Sequence, residues 1–371
     1  MTGSARLAAV AAEYMRRALA LAERGWGQTA PNPMVGAVVV ADGRIVGEGF
    51  HARHGEAHAE VVALKAAGAA ARGATLYVTL EPCVHHGKTP PCVDAIRAAG
   101  IARVVAAVRD PSDVARGGVE ALRAAGIAVD LGIERERALE LNAAFFNAHA
   151  SPRPWVTLKI AMSADARVAD PTGVRRWITG PESRREVHRL RANSDAIAVG
   201  IGTVLADDPA LTVRDAPAPR VAPSRVIFDR MLRIPVDSGL VRSSREVETI
   251  VVGSADAPGD RRTMLESRGV RVIVANGLEP ALESLRERGV RSLFVEGGPR
   301  LAGAMLREGL VDRLVIFQAP ITLGDAALGA FDFAPADFLD ALTGARVIRR
   351  EQFGADRMTV YALHEVPCSP D

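Results

Sequence analysis

Gly55-Glu56-Ala57-His58-Ala59-Glu60, followed by Thr79-Leu80-Glu81-Pro82-Cys83-Val84-His85-His86-Gly87-Lys88-Thr89-Pro90-Pro91-Cys92, marks out the architecture of the chain's first half. It offers one imidazole and two thiols, those of His58, Cys83 and Cys92. Zinc with catalytic duty takes three protein ligands and keeps a fourth position for water, whose pKa it lowers toward neutrality. Glu60, two residues from His58, stands close enough to carry a proton without being a ligand. The local pattern supports this geometry. His58 opens one helix, Cys83 follows a strand, and Cys92 follows Pro90-Pro91 at the start of another helix, where thiolate is favoured over thiol. A surface histidine and two buried structural cysteines form the competing reading. It accounts for each residue singly but not for their spacing.

Outward from these residues, Ser4–Arg24 has helical periodicity. Val35–Ala41 and Ile45–Phe50 read as strands joined by an Asp42-Gly43 hairpin turn. His58–Ala70 reads as a helix, Thr75–Leu80 as a short buried strand, and Cys92–Ala99 as a helix ended by Gly100. Val104–Val108 is a further strand, Val119–Ala125 a helix ended by Gly126, and Arg135–Ala148 another helix. This is an α/β layer with helices covering a sheet. Two prolines in Ser151-Pro152-Arg153-Pro154 disfavour continued helix, and Trp155–Ala161 starts a second series of strands. Ala196–Val199, Val226–Phe228, Thr249–Val252, Val270–Ala275, Ser292–Val295 and Arg313–Phe317 continue it. The boundary falls near residue 150, giving domains 1–150 and 151–371, two halves without self-similarity. Asp215–Pro223 reads as a surface loop, and Val366–Asp371 as a frayed tail in which Cys368 is given no role.

Length agrees with this division, since 371 residues suit two cores better than one. Lys and Arg number 46 against 44 Asp and Glu, well mixed, without the basic stripe of a nucleic-acid binder. The arginines around Arg175–Arg176 and Arg184–Arg185 come nearest, with a small anionic ligand or a solvated helix as competing readings. Three cysteines cannot build a disulfide framework, which argues for a reducing compartment. Neither a signal peptide nor an apolar run long enough to span a membrane is found. A cytoplasmic protein is expected, binding neither nucleic acid nor membrane, and chains of this two-domain build are expected to form homo-oligomers.

The His-x-Glu and Pro-Cys pattern is the signature of zinc nucleobase deaminases. Their frequent form has two residues between the cysteines, where this chain has eight. With Thr29-Ala30-Pro31-Asn32-Pro33-Met34-Val35-Gly36, the quoted stretches resemble the deaminase half of the bifunctional riboflavin-biosynthesis deaminase/reductase family. The long insert, with its two histidines and lysine, separates the chain from cytidine and tRNA-adenosine deaminases. The resemblance implies a cytidine-deaminase-like three-layer α/β domain holding one zinc on His58, Cys83 and Cys92, with Glu60 catalytic. It further implies a substrate pocket lined by Asn32, His85, Lys88 and Asp110, with Lys88 near a sugar phosphate. In one place the chain departs from the family: Asp110-Pro111-Ser112-Asp113 replaces the usual Asp-Pro-Asn-Pro.

No Gly-x-Gly-x-x-Gly opens a helix after a strand in the second half; Val199-Gly200-Ile201-Gly202-Thr203-Val204-Leu205 comes closest. Leu293-Phe294-Val295-Glu296-Gly297-Gly298-Pro299-Arg300-Leu301-Ala302-Gly303-Ala304 is a better phosphate cradle, a strand running through glycines into a helix N-terminus. Alone, it reads equally as a tight turn. Lys159-Ile160-Ala161-Met162-Ser163-Ala164-Asp165, Trp177-Ile178-Thr179-Gly180, Leu190-Arg191-Ala192, Val199–Thr203 and Asp207–Arg214 are similar to the reductase half of the same family. That half is dihydrofolate-reductase-like α/β and binds NADP without the dinucleotide fingerprint. The resemblance implies NADP contacts from Met162, Trp177, Thr203, Asp207 and Gly298, Pro299, Arg300, Leu301, Ala302, Gly303 and Ala304. It implies substrate contacts from Arg175, Arg191, Leu211, Arg214 and Glu296, the arginines suiting a phosphate, with Lys159 beside the ribose being reduced. Core packing is the competing reading for Trp177 and Leu211. Asp165-Ala166 replaces the usual Asp-Gly, unfavourable wherever φ must be positive, and Arg175 stands where the family residue is small and polar.

The implied chemistry is hydrolytic deamination of a small-molecule pyrimidine ribose phosphate, then NADPH-dependent reduction of its ribosyl group to ribityl. Two other readings of the residues stay open. One is a deaminase of a free base, nucleoside or tRNA whose second domain serves another purpose. The other is a non-catalytic nucleotide-binding protein with a relict zinc site, against which Glu60 speaks.

Overall fold

In the computed structural model, which describes residues 3–86, 90–170, 177–331, 342 and 345–368, Asp42 and Gly43 both take positive φ, 49° and 72°. A two-residue hairpin turn of the primed type needs this at both positions. They join β1 (Gly36–Ala41) to β2 (Arg44–Phe50) in antiparallel register. With β3 (Thr75–Val78), β4 (Arg103–Ala106) and β5 (Ala128–Leu131) they form a mixed sheet of order β2-β1-β3-β4-β5. α1 (Gly3–Ala22) covers one face, so closely that a Cβ on Gly36 would stand 1.9 Å from the Ala18 carbonyl oxygen. The opposite face carries α2 (Ala59–Ala67), α3 (Cys92–Ala99) and α4 (Gly118–Ala124), whose Ala63, Leu64, Ile96 and Leu122 pack on Val39, Leu76 and Val104.

Sequence and structure differ here in three places. The helix expected over Arg135–Ala148 is two, α5 (Arg135–Leu141) and α6 (Ala143–Ala150). Between them, the Asn142 amide is held by Met34, accepting from its N–H at 2.8 Å and donating to its carbonyl at 2.9 Å. That buried pair outweighs continued helix. β5 was not expected; half exposed at the sheet edge, it lacks a clear apolar alternation. Nor is the tail frayed throughout: Val366 is buried, and Arg135 donates to the Cys368 sulfur at 2.9 Å. Val366–Cys368 group with this first unit, and Ser151–Glu365 form the second.

The second unit is built on β6 (Trp155–Met162), followed by β7 (Arg167–Ala169), α7 (Pro181–Ala192), β8 (Ala196–Gly200) and α8 (Ile201–Asp207). β9 (Ser224–Phe228), α9 (Gly239–Arg242), β10 (Thr249–Gly253), α10 (Gly259–Ser267), β11 (Arg271–Val274), α11 (Leu278–Glu287), β12 (Ser292–Val295) and α12 (Pro299–Arg307) succeed them. β13 (Arg313–Gln318), β14 (Leu328–Gly329), β15 (Arg346–Phe353) and β16 (Asp356–Ala362) complete it. The main sheet runs β11-β10-β9-β8-β12-β6-β13-β16-β15, parallel from β11 to β13 and antiparallel beyond. The hairpin β15–β16 was not foreseen; its edge strand β15, charged and exposed and reading Arg346-Val347-Ile348-Arg349-Arg350, shows no buried face. Helices cover both faces: α11 and α12 pack on Val156, Leu158 and Leu293, and α7 on Phe294 and Phe317.

From β6 the chain passes over one strand position to β8 and proceeds outward to β11. It then returns to insert β12 in the space left between them. Ligands of parallel sheets bind where the strand order reverses in this way, beyond the carboxyl ends of the strands. Asp312 closes the unit, accepting both Arg153 terminal nitrogens (2.8 and 2.7 Å), the Val156 N–H and His364 Nδ1. Entry and exit of the chain are thereby tied to one carboxylate.

Ala166 lies in the turn between β6 and β7 with φ 57°, the left-handed region where a Cβ is crowded. Its N–H and the neighbouring Ser163 and Arg167 hydrogen bonds fix that conformation. Ala166→Gly is expected to stabilise the second unit by about 0.5 kcal/mol. Relief of roughly 1–2 kcal/mol outweighs the extra chain entropy of glycine and a lost methyl contact. Thermal unfolding of the two proteins checks the sign: a midpoint raised by about 1–2 °C is expected.

Candidate functional site

At the end of β3 the chain bends and is locked to β1: Thr79 donates its N–H to the Gly36 carbonyl, and its Oγ1 accepts from the Gly36 N–H at 3.1 Å. Four residues on comes Cys83. His58 is the residue that begins α2, Glu60 sits in its first turn, and Cys92 is the first residue of α3 after Pro91. His58 Nδ1 lies 3.2 Å from the Cys92 sulfur and 3.6 Å from the Cys83 sulfur, and the three donor atoms fall within 4.8 Å of one another.

Two sulfurs and an imidazole this close share protons unevenly. The Cys92 thiol and then His58, hydrogen-bonded to Cys83, hold its pKa at about 4 against burial. The bond from Cys83 and burial push the Cys92 thiol up, and the bond to Cys83 raises His58. One imidazole and two sulfurs are a donor set that suits zinc. Glu60 is buried, which raises its pKa, and its Oε2 has no hydrogen-bond partner. An oxygen so placed costs about 1–3 kcal/mol unless something polar meets it. Glu60 lines a cavity of about 50 Å³ together with Asn32, His51, His58, Cys83 and Asp110, enough for water beside a bound group. Asp110 is held at about 6, raised by burial and, beyond the Ser112 N–H it accepts, by the nearby Glu81, Cys83 and Glu60.

Asn32 and Asp110 thus stand in the cavity with Glu60, whereas His85 is on the following loop and not among the lining residues. Lys88 lies outside the described residues. Ser112 turns its Oγ to the Val114 N–H within its own loop. Sequence reading gave no role to His51 and Glu81. His51 meets the His58 ring edge-on at 5.5 Å and lies 3.3 Å from the Asn32 amide nitrogen; its place just past β2 was the only cue. Glu81, buried one residue before Pro82, accepts the N–H groups of Asp110 (3.0 Å), Gly117 (3.2 Å) and Val119 (2.9 Å). It ties the start of α4 to the Pro82-Cys83 segment. Gly118 packs against that segment: a Cβ there would stand 1.8 Å from the Pro82 carbonyl oxygen.

In the second unit, Leu158 and Val295 are paired in the parallel β6–β12 ladder, so the next residues, Lys159 and Glu296, come side by side. Lys159 Nζ lies 3.3 Å from Glu296 Oε2, and Arg191 Nε donates to Glu296 Oε1. Burial raises the Glu296 pKa, but the Lys159 and Arg191 charges overcome it and hold it at about 2. Arg191 Nη1 also donates to the Thr212 carbonyl at 2.8 Å, and Arg214 reaches Thr212 Oγ1. Leu211 is buried with φ 49°.

α8 and α12 start next to each other at the ends of β8 and β12. A Cβ on Gly298 would approach Thr203 Oγ1 to 3.6 Å, one on Gly200 would touch Leu301, and one on Gly202 would point into open space. This glycine-lined shelf fits a nucleotide phosphate arm, which needs close backbone approach. At the start of α12 Pro299 is half buried, Arg300 exposed and Leu301 packed against the core beside Gly200 and Gly297; Ala304 is half buried on the same helix. Ala302, Gly303 and Met162 are buried, Ala302 and Met162 in the core. Asp207 is exposed at the end of α8, and Trp177 is exposed with the Arg184 guanidinium 5.1 Å from its ring. Arg175 lies outside the described residues.

A family model for the cytidine and deoxycytidylate deaminase zinc-binding region matches residues 9–108, and one for the RibD C-terminal domain matches residues 154–342. The chain is 48% identical over 315 residues to the riboflavin biosynthesis protein RibD of Aquifex aeolicus (strain VF5), covering 84% of this chain and 87% of that one. It is 45% identical over 332 residues to that of Escherichia coli (strain K12), covering 85% and 89%. Among solved structures it is similar to a diaminohydroxyphosphoribosylaminopyrimidine deaminase/5-amino-6-(5-phosphoribosylamino)uracil reductase from Thermotoga maritima. The TM-score is 0.79 and the identity 35%, over 97% of this chain and 99% of that one.

Because the Pro82 carbonyl fills the place of a Gly118 side chain, Gly118→Ala must displace the Pro82-Cys83 backbone. A zinc affinity lowered by about 10- to 100-fold is expected, the usual effect of disturbing the support of a ligand. Competition with a chromogenic chelator measures it; unchanged affinity would mean that this contact does not position Cys83.

Proposed function

The chain belongs to the RibD family of riboflavin biosynthesis proteins, bifunctional deaminase/reductases with a zinc-binding deaminase domain and an NADPH-dependent reductase domain, and from that premise we propose that its two reactions use separate sites. In this reading the first unit deaminates 2,5-diamino-6-ribosylamino-4(3H)-pyrimidinone 5′-phosphate, and the second, Ser151–Glu365 rather than the expected 151–371, reduces the ribosyl group of the product to ribityl. The observation that carries it is the meeting of His58, Cys83 and Cys92 within 4.8 Å beside the unpartnered oxygen of Glu60.

His58, Cys83 and Cys92 would hold the zinc. Bound there, the metal supplies a Lewis acid that makes water a usable nucleophile near neutral pH. Glu60 Oε2 takes a proton and delivers it to the departing amine; burial, by raising its pKa, suits it to holding that proton. Asn32 and Asp110 orient the pyrimidine by hydrogen bonds. In the reductase site NADPH supplies the hydride, and the glycine shelf before α12, with Thr203 and Trp177, binds it. Glu296 holds Lys159 beside the ribose, and Arg191 and Arg214 take the substrate phosphate. We further expect a cytoplasmic homo-oligomer without nucleic-acid partners, in keeping with the balanced charge and with thiols that must stay reduced to bind metal.

Glu60→Gln is expected to abolish ammonia release while leaving NADPH oxidation on pre-deaminated substrate unchanged. Ammonia and NADPH absorbance are measured on the same folded preparation. Loss of both activities together would contradict two separate sites.

A further inference from the structure

The imidazole of His188, which the reading above does not use, is buried at the edge of the charged cluster of the second unit. It stands on α7, three residues before Arg191. Its Nδ1 lies 3.1 Å from the Arg214 backbone nitrogen and 3.5 Å from Arg191 Nη1. A backbone N–H and a guanidinium can only donate, so Nδ1 is the acceptor nitrogen of a neutral ring. The same arginine reaches past it to the Thr212 carbonyl. α7 therefore grips the Leu211–Arg214 segment at two points, Thr212 through Arg191 and Arg214 through His188.

That segment needs a grip. Asp208, Leu211 and Asp215 all have positive φ, 39°, 49° and 53°. Aspartate tolerates this region, but for leucine it is unfavourable and persists only where the surroundings impose it. The Arg214 guanidinium is aimed from within the segment, by its bond to Thr212 Oγ1 at 3.1 Å. If the backbone relaxed, Arg214 would move relative to Arg191, which Glu296 anchors to the sheet.

We infer that His188 is a positioning residue for the phosphate end of the reductase substrate. As a neutral acceptor it fixes the backbone of Arg214 against α7 and so sets the spacing of the two guanidiniums. This rests on reading Arg191 and Arg214 as the phosphate-binding pair. The charged groups that face the ring are Arg191 on its own helix, Arg214 and Asp215 on the loop, and Glu296 at the end of β12. Burial, then Arg191 and Arg214, lower its pKa, while Glu296 and Asp215 work the other way, and the ring is neutral near pH 7. At lower pH a protonated Nδ1 turns a donor toward two donors, and the grip fails.

The test follows NADPH-dependent reduction of the pre-deaminated pyrimidine ribose phosphate by the full chain. Wild type, His188→Leu, His188→Asn and Arg214→Ala are compared. Leucine fills the space without an acceptor; asparagine returns an oxygen close to the Nδ1 position. His188→Leu should raise the pyrimidine KM about tenfold, the worth of one such hydrogen bond, and leave the NADPH KM unchanged. His188→Asn should restore the KM, and should also abolish the rise in KM expected of wild type once the pH falls far enough below the ordinary histidine range to protonate the ring. Far-UV circular dichroism and thermal unfolding of the same preparations report that both units are folded, and should His188→Leu not fold, the pH profile of His188→Asn decides. Arg214→Ala that leaves the KM unchanged sinks the phosphate reading itself. If Arg214→Ala raises it but His188→Leu does not, or His188→Asn is as impaired as His188→Leu, only the positioning role falls. A loss of NADPH binding in His188→Leu would likewise overturn it in favour of plain packing.

Discussion

Taking an ionised group out of water costs several kcal/mol unless a partner stands beside it, and both sites of this chain are assembled from such groups. In the first unit a thiolate at Cys83 is tolerable because the Cys92 thiol and the His58 imidazole donate toward it. In the second, Glu296 is ionised and almost fully buried because Lys159 and Arg191 flank it. Remove one partner and the remaining charge is left in a low-dielectric surrounding, which is why each cluster holds together as a unit. Glu60 Oε2, buried without a hydrogen-bond partner, is the oxygen that the proposed deamination sets to work on a substrate.

Backbone geometry brings these partners together without long side chains having to search for one another. In the first unit, two of the three donors sit at helix starts and the third on the segment that follows β3, so the cluster forms where strand ends meet helix N-termini. Glu81 makes that run rigid, its two oxygens taking three N–H groups from the Asp110–Val119 loop. The second unit uses ladder register, since pairing of Leu158 with Val295 obliges Lys159 and Glu296 to be neighbours. Insertion of β12 between β6 and β8 then sets the glycine shelf beside that pair.

Much of this was readable from residues alone, and the parts that were not share a cause. The Asp42-Gly43 turn, the helix stop at Gly100 with φ 72°, and the His58, Cys83 and Cys92 cluster each depend on residues near in sequence or on unusual residue types. Asn142 looked like an ordinary helical residue; what breaks the helix is Met34, 108 positions away. Glu81 lay inside a quoted motif, yet its function consists of bonds to backbone N–H groups, which are the same in every residue and leave no trace in sequence. His188 is hidden likewise, since one of its contacts is the backbone of Arg214. Strand β15 escaped because an edge strand facing solvent needs no apolar alternation.

Leu211 shows how far such long-range contacts can push a local preference. A glycine would relax its backbone, recovering about 1–3 kcal/mol of strain. It would also empty a place in the core, where Leu211 packs with Val199, Val204 and Leu240, and losing a buried leucine side chain costs about 2–5 kcal/mol. The side chain is needed inside while the backbone must bend the wrong way to deliver Arg214, and burial is the larger quantity. Strain is thus held in the loop by the core beneath it and the α7 contacts beside it. Among the described residues of this unit, positive φ at non-glycine positions gathers most densely around the segment proposed to recognise substrate.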